Sequence, residues 1–387
     1  MFKKNLFFSL RQEKDGGMGR LIYLDNLRSF ALLLGIVFHS AIVYAAEIQY
    51  AIQTIERSEI LSYFCYWIHS FRMPMFYMIS GFFSAMVVEK KGTGFYFEGR
   101  LRRVLIPTLF GLLFLAPIQY FLMEKTKIPN ISLVDFLIHF FTKEKFQHSH
   151  IWFLVDLFCF SMLYLLLHKW IFKIIDWKGW RDFPFRFLIL FLFCFLFVLG
   201  SHTQFGKGES YFGIFKLTFL YQFSFFTAGV FSYFWKDVFF QKPSSPYKTI
   251  AIFLWALVFS LLLMDFEISD PLWIYFSYAN PWYRTFHIFL WVTSPYLWTL
   301  FFVRVFLRFG NEEGKVGGYI IEASLPIYLV HHPISLVFAF YVKELSFPLW
   351  EKFLLHNLVV LCLSFFLYHC FIQKYKPLRF LFGLKLN

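Results

Sequence analysis

A histidine inside an apolar segment is a choice that needs a reason. The stretch 21–44, LIYLDNLRSFALLLGIVFHSAIVY, carries Asp25 and Arg28 at its entrance and His39 within it. Arg28 and His39 are eleven residues apart. On a helix that is about three turns, so the two side chains share nearly one face, separated by a rise of roughly 17 Å. This is about half a hydrocarbon core, which sets His39 near a bilayer midplane. An ionisable group at that depth is costly, and points either to function or to a polar contact with a neighbouring helix. Two more such groups reach similar depth: Arg72, midway along the second apolar segment, and His332, about fourteen residues into the ninth. An imidazole can take a proton and a guanidinium can hold a developing anion. Three helices bringing these groups to one level would form a general base beside a charge stabiliser.

The elements that must position these groups follow from composition. Of the 387 residues 59% are apolar and 24% aromatic, with mean hydropathy +0.58. Ordinary soluble domains are not this apolar, so the chain belongs to the integral membrane class. Its apolar runs are too long for barrel strands and lack their alternation, which leaves helices. The sequence predicts an all-α, polytopic membrane bundle of ten spans, at about 26–45, 60–88, 104–123, 151–168, 187–200, 213–235, 248–264, 285–303, 318–341 and 353–373. With the N-terminus inside, 25 of the 37 Lys and Arg residues fall in cytoplasmic segments, nine in outer ones and three in spans. That bias predicts both termini cytoplasmic. The net charge of +13 is thus mostly a topology signal, and no nucleic-acid partner is expected. Residues 1–20 read as a basic cytoplasmic tail, 21–373 as one transmembrane domain, and 374–387 as a second basic tail. A leader-peptide reading of the N-terminus is set aside, because His39 interrupts the apolar run and many spans follow. Cys65, Cys159, Cys194, Cys362 and Cys370 lie in apolar segments at no paired spacing, and read as small core residues.

Two further sets of residues invite chemistry. Arg100, Arg102 and Arg103 stand at the predicted cytoplasmic mouth, where guanidinium forks suit phosphates, although positive-inside anchoring alone explains them. His148, His150, Trp152 and Asp156 stand at the predicted outer face. A His-x-His without further ligands is a weak metal signal, and no metal is expected. Trp152 fits the interfacial belt or a sugar-stacking platform, as do Trp273, Tyr275, Tyr278, Trp282 and Tyr283. No Gly-x-Ser-x-Gly elbow, His-Glu-x-x-His, Walker loop or Rossmann fingerprint occurs. The available catalyst is a histidine in a membrane cavity.

The stretch LDNLRSFALLLGIVFH resembles the opening signature of the membrane-bound acyltransferase-3 family: an Asp, an Arg, ten residues, then a His. HSFRMPMFYMISGFF (69–83), GRLRRVLIP (99–107) and ASLPIYLVHHPI (323–334) are similar to its later signatures, in the same order. The wording HSFRMPMF with YLVHHP leans toward the branch that adds succinyl groups to periplasmic glucans. The resemblance implies an inner-membrane O-acyltransferase that moves an acetyl or succinyl group from acyl-CoA, its co-substrate, to a carbohydrate hydroxyl. It implies His39 as general base or transient acyl carrier, with Arg72 stabilising the oxyanion. Arg28, Arg100 and Arg103 would hold the 3′-phospho-ADP of the donor. Asp25, His69, His150, Trp152 and His332 are expected on the substrate side. Membrane lipids, acyl-CoA and a carbohydrate acceptor are the expected partners. Two other classes fit a helical bundle with mid-depth charges: a flippase for lipid-linked sugars, and a lipid-linked glycosyltransferase built on Asp265 or Glu267.

Overall fold

The structure is a computed structural model that describes residues 21–142, 148–176, 186–204, 210–211, 215–235, 245–269, 280–312 and 314–386. The expected tail 1–20 and the aromatics Trp273, Tyr275 and Tyr278 lie outside these residues.

Helix α1 spans Ile22–Ala41 and closes with a 3₁₀ turn, Ile42–Tyr44. Helix α2, Glu59–Arg100, contains Pro74 and breaks at Gly92, whose φ of +84° is open to glycine and strained for other residues. The chain folds back there. Tyr96 Oη donates to Ser84 Oγ at 2.8 Å, whereas residues twelve apart on a straight helix stand roughly 18 Å apart. Beyond α2 come a π turn, Leu101–Leu105, then α3 (Ile106–Phe110), a second π turn, Gly111–Leu115, and α4 (Ala116–Lys127). Each π turn immediately precedes a helix with a proline in its first turn, Pro107 or Pro117. Proline has no N–H for the carbonyl a turn back and its ring crowds it, so the extra residue relieves the clash.

The remaining helices are α5 (Leu133–Thr142), α6 (Trp152–Asp176), α7 (Arg186–Gln204), α8 (Leu217–Phe234), α9 (Pro246–Ser269), α10 (Pro281–Phe309), α11 (Lys315–Val342), α12 (Leu349–Leu367) and α13 (Lys376–Leu381). Extended pairing among the described residues is limited to a two-residue rung, Ser210–Tyr211 with Phe215–Lys216, and a bridge between Ala45 and Ser58.

The protein is an all-α, multi-pass membrane bundle. Seven stretches of the described residues are long and apolar enough to cross a membrane, and the continuous run Glu59–Lys127 holds two of the expected spans. The fifth expected span is a shorter apolar helix, Leu188–Ser201. Burial separates centre from rim: 67% of the apolar window is buried in α1 and in α11, against 22% in α9. Helix α9 accordingly exposes Leu254, Trp255, Val258 and Leu261, a face suited to lipid rather than water. Helices α2 and α8 cross at backbone contact. A Cβ on Gly81 would stand 2.0 Å from Phe226 O, and one on Gly229 would stand 1.9 Å from Met78 O, the small-residue packing that membrane helices favour.

The C-terminal stretch docks. Arg379 Nη2 pairs with Glu322 of α11 at 3.0 Å, and the same guanidinium donates to Lys385 O (2.7 Å) and Gln373 O (3.0 Å). Glu322, which the sequence left without a role, is the anchor for this stretch.

Candidate active site

The centre of the bundle brings together the three mid-depth groups. His39 comes from the last turn of α1, Arg72 from the middle of α2, and His332 from α11. The rings of His39 and His332 lie 4.3 Å apart, edge to face. The Arg72 guanidinium stands 5.0 Å from the Phe38 ring, and its Nη1 would lie 2.5 Å from a Cβ on Gly35. Depth read from sequence was therefore a sound guide to which groups meet.

The site holds two more histidines. His331 lies 5.3 Å from the His39 ring, and His150 lies 6.4 Å from His39 and 4.7 Å from His332. The sequence set His150 apart in an outer-face cluster; in the structure a 3₁₀ turn, Ser149–Ile151, tucks it inward to 4% exposure. Trp152, expected beside it as a sugar platform, is half-buried and packs on the central apolar core. His69 is exposed and stacks on Phe38 at 5.8 Å, so it flanks the site from the far side of that ring.

One glutamine organises the cluster. Gln119 Nε2 donates to Leu115 O at 3.0 Å on its own helix, which turns Oε1 toward the histidines as an acceptor. Ser149 Oγ and His332 Nδ1 both donate to that oxygen, and His150 Nδ1 lies 3.1 Å from it. With Nδ1 of His332 committed as a donor, its Nε2 is the lone-pair nitrogen that accepts from Tyr50 Oη at 2.7 Å. Tyr50 belongs to the segment between α1 and α2, outside the spans, where burial pushes its phenol above the ordinary value. The hydroxyl therefore stays protonated as a donor. His150 Nε2 lies 3.2 Å from Leu329 O, and His331 Nδ1 donates to Tyr328 O at 2.5 Å.

His331 Nε2 is buried without a partner and sealed, and His39 differs in access. Its Nδ1 is buried without a partner, and its Nε2, also without a protein partner, is not sealed. Arg72 repeats the pattern: the residue is 3% exposed, Nε and Nη1 are buried without partners, and Nη2 is not sealed. An imidazole and a guanidinium with no hydrogen bond to any described residue stand in one buried cluster, open to a ligand.

A second constellation lies toward the start of α1. Arg28 pairs with Asp25 at 3.3 Å and lies 5.3 Å from the Phe83 ring. Arg100 Nη2 donates to Ser84 Oγ at 3.2 Å, with its guanidinium 4.6 Å from the Tyr96 ring. The two arginines thus flank consecutive residues of α2. Arg103 stands exposed one turn further on, while Arg102 turns aside to Glu98 at 2.9 Å. Asp25, expected on the substrate side, stands here with Arg28, fourteen residues and roughly 21 Å of helix from His39. A cleft of about 360 Å³ opens at the same end between the starts of α1 and α11, lined by Ile22, Lys315, Gly317, Gly318 and Ile321.

A family model described as an acyltransferase domain, that of the acyltransferase-3 family, matches residues 21–369. The chain belongs to the acyltransferase-3 family. It is an enzyme that transfers acyl groups other than aminoacyl groups. Glucans biosynthesis protein C of Escherichia coli K12 and that of Shigella dysenteriae serotype 1 are each 28% identical to it over 389 residues, covering 94% of this chain and 94% of the relative. No solved structure matches.

Membership gives the clusters their meaning. A transferase needs a base, a charge stabiliser and a place for its donor, and the described residues hold two separate polar constellations, one around His39 and Arg72 and one around Arg28 and Arg100. Among the described residues no group of His, Cys, Asp and Glu is arranged to hold a metal. Glu267, one of the two carboxylates expected to serve a glycosyltransferase, lies 3.5 Å from buried His287, between α9 and α10. Sequence reasoning missed Gln119, Tyr50 and His331. The first two act through contacts with His332, 213 and 282 residues away in sequence, and no local pattern marks them.

Proposed function

We propose that this acyltransferase moves an acetyl or succinyl group from acyl-CoA to a hydroxyl of a glucan, in the inner membrane, with both termini cytoplasmic. The glucan comes from the name of the relatives, and the donor from the arginine-lined mouth near the start of α1. Arg28, Arg100 and Arg103 supply the guanidinium forks that phosphates bind.

The observation that carries the reading is the pair of uncommitted groups. His39 Nε2 and Arg72 Nη2 have no partner among the described residues and are not sealed. In the proposed step His39 Nε2 takes the proton of the acceptor hydroxyl as its oxygen bonds to the thioester carbonyl carbon. The carbonyl oxygen gains the negative charge, and Arg72 stabilises it. Collapse breaks the carbon–sulfur bond, and the imidazolium returns its proton to the departing thiolate. Among the described residues no carboxylate or carbonyl orients His39 Nδ1; the ring is positioned by the flanking rings of His332 and Phe38, 4.3 and 5.0 Å away. His332, His150 and His69 line the approach of the acceptor. The same His39 nitrogen could instead take the acyl group transiently, a path that double-displacement kinetics would reveal.

The test is purified protein with labelled acetyl-CoA or succinyl-CoA and a linear glucan. Acyl-glucan and free CoA should form in equal amounts. Label that never reaches the glucan, from either donor, with protein that is folded, overturns the reading.

A further inference from the structure

Of the arginines Arg28, Arg100, Arg102 and Arg103, three are tethered by their own side chains. Arg28 has Asp25, Arg100 has Ser84 Oγ and the Tyr96 ring, and Arg102 has Glu98. The Arg103 side chain makes no hydrogen bond, ion pair or ring contact with any described residue. Its guanidinium is therefore no better placed than the π turn Leu101–Leu105 that carries it. Single π turns recur at functional sites, and what this one rests on comes from the far end of the sequence.

Helix α13 closes in a glycine cap. Gly383 takes a φ of +72°, Leu384 N donates to Arg379 O at 2.8 Å, and Gly383 N donates to Phe380 O at 3.1 Å. These two bonds are the ones that end a helix on a left-handed residue. The cap sits directly on the π turn. A Cβ on Gly383 would stand 3.1 Å from both Arg103 Cα and Arg103 O, and 2.8 Å from Pro107 Cγ. Glycine permits both the φ and the close approach. Beside it the Phe382 ring lies 5.1 Å from that of Phe110 on α3.

Arg379 ties the cap to α11. The residue is buried, and each of its side-chain nitrogens is committed: Nη1 to Gln373 O before α13, Nε to Lys385 O after it, and Nη2 to Glu322. An arginine bonded in this way is a joint, with no donor left for a ligand. Glu322 follows Ile321, which lines the cleft at the start of α11. Contacts thus run from Glu322 through Arg379 and Gly383 to the backbone of Arg103.

We propose that Arg379 is a positioning residue for the donor: through the Gly383 cap it sets the turn that aims Arg103 at the donor's phosphates. This rests on the donor reading above. A strap that only stabilises the bundle would act differently, lowering the amount of folded protein and leaving every KM unchanged.

Wild type, Arg379→Met, Glu322→Gln and Gly383→Ala are compared for donor KM, acceptor KM and kcat per folded protein. Binding of adenosine 3′,5′-bisphosphate, the phosphate-bearing fragment of the donor, is measured by calorimetry without turnover. Arg379→Met cuts the cap from α11, and Gly383→Ala strains it and pushes on the Arg103 backbone. Each should raise donor KM and the bisphosphate Kd by about 10-fold, the lower worth of one charge-assisted hydrogen bond, with acceptor KM unchanged. Glu322→Gln keeps an oxygen for Nη2 and should have a smaller effect. Added to Arg103→Ala, neither Arg379→Met nor Gly383→Ala should raise donor KM further, because both act through Arg103. If Arg379→Met does not fold, Gly383→Ala, which removes no contact, decides. Donor KM and bisphosphate Kd unchanged in the folded variants, or full additivity with Arg103→Ala, overturns the proposal while the donor reading stands. A wild type that neither binds the bisphosphate nor uses acyl-CoA overturns the donor reading, and the positioning role with it.

Discussion

Gly35→Ala tests whether the position of Arg72, rather than its presence, matters. Gly35 stands on α1 one turn before His39. A Cβ there would meet Arg72 Nη1 at 2.5 Å and Tyr328 Cε2 at 3.2 Å, where ordinary contact begins at 3.4 Å. The guanidinium nitrogen must therefore retreat by about 0.9 Å, the difference between the two limits. Nothing ties it down: Nε and Nη1 have no partner, and packing against the Phe38 ring at 5.0 Å is its main restraint. The side chain, not the backbone, should yield. Alanine gains up to about 1 kcal/mol of helix propensity, against about 1–3 kcal/mol for overpacking. Stability should then fall by about 0–2 kcal/mol. A displacement near 1 Å at a positioned group costs about 10²-fold in rate, or roughly 2.7 kcal/mol of barrier, so activity should suffer more than stability. The assay is the initial rate of CoA release by detergent-purified protein, beside its melting curve. Gly35→Ala combined with Arg72→Ala should be no slower than Arg72→Ala alone, because the methyl acts through the guanidinium. A Gly35→Ala rate within about threefold of wild type, far above the loss expected for a misplaced group, refutes the reasoning. So does full additivity of the two substitutions, which would assign the effect to Tyr328.

The other expectations concern separate parts of the site. His39→Gln keeps a hydrogen-bonding side chain without a base, and should lose about 10²–10⁴ in kcat while folding normally; near-normal acyl transfer would move the catalyst elsewhere. Arg100→Ala with Arg103→Ala should raise donor KM far more than acceptor KM, by up to about 3–6 kcal/mol for two charged contacts; equal effects on both would reduce these arginines to topology anchors. Burial holds the Tyr50 phenol above its ordinary value near 10, so its hydroxyl stays protonated at neutral and mildly basic pH. Tyr50→Phe should therefore lower kcat by about 5- to 10-fold, the worth of one neutral hydrogen bond, by the same factor from pH 6 to 9; a factor that changes across that range would contradict the assignment. Reporter fusions after residues 92 and 310 should read cytoplasmic, and those after 130 and 345 external; two reversed readings would invert the orientation.

Most of the fold was legible because its signals are local. Long apolar runs announce helices, and depth along a run predicted that His39, Arg72 and His332 would meet. The i, i+3 pairing of Asp25 with Arg28 follows from spacing as well. What escaped is non-local. His150 precedes its span in sequence, so depth counting left it at a surface, and only the 3₁₀ turn before α6 carries it inward. His331 and His332 are adjacent and diverge by about 100° on a helix, so one of the two was expected at the site; the cluster is wide enough to receive both. The break between the two spans within Glu59–Lys127 falls at Gly92, and the fold-back it makes, which sets Tyr96 against Ser84, has no local signal beyond that glycine.

The asymmetry among the four histidines narrows the choice of base. His332 is held at both nitrogens, by Gln119 and Tyr50; His150 faces acceptors at both, Gln119 and Leu329 O; His331 is tied through Nδ1 to Tyr328 O. A substrate proton reaching His332 or His150 would compete with an existing contact in a medium where lost hydrogen bonds are costly, and the unpartnered Nε2 of His331 is sealed from any substrate. His39 loses nothing, because neither of its nitrogens has a protein partner to give up. The other three rings have a different use. They fill the volume beside His39 with rings each held by at least one hydrogen bond. That arrangement lets four imidazoles share the centre of an apolar bundle while one remains available to substrate. It also explains why the organising residue is a glutamine: a neutral amide anchored to Leu115 O offers a fixed acceptor to His332 and His150 without placing a charge among the rings.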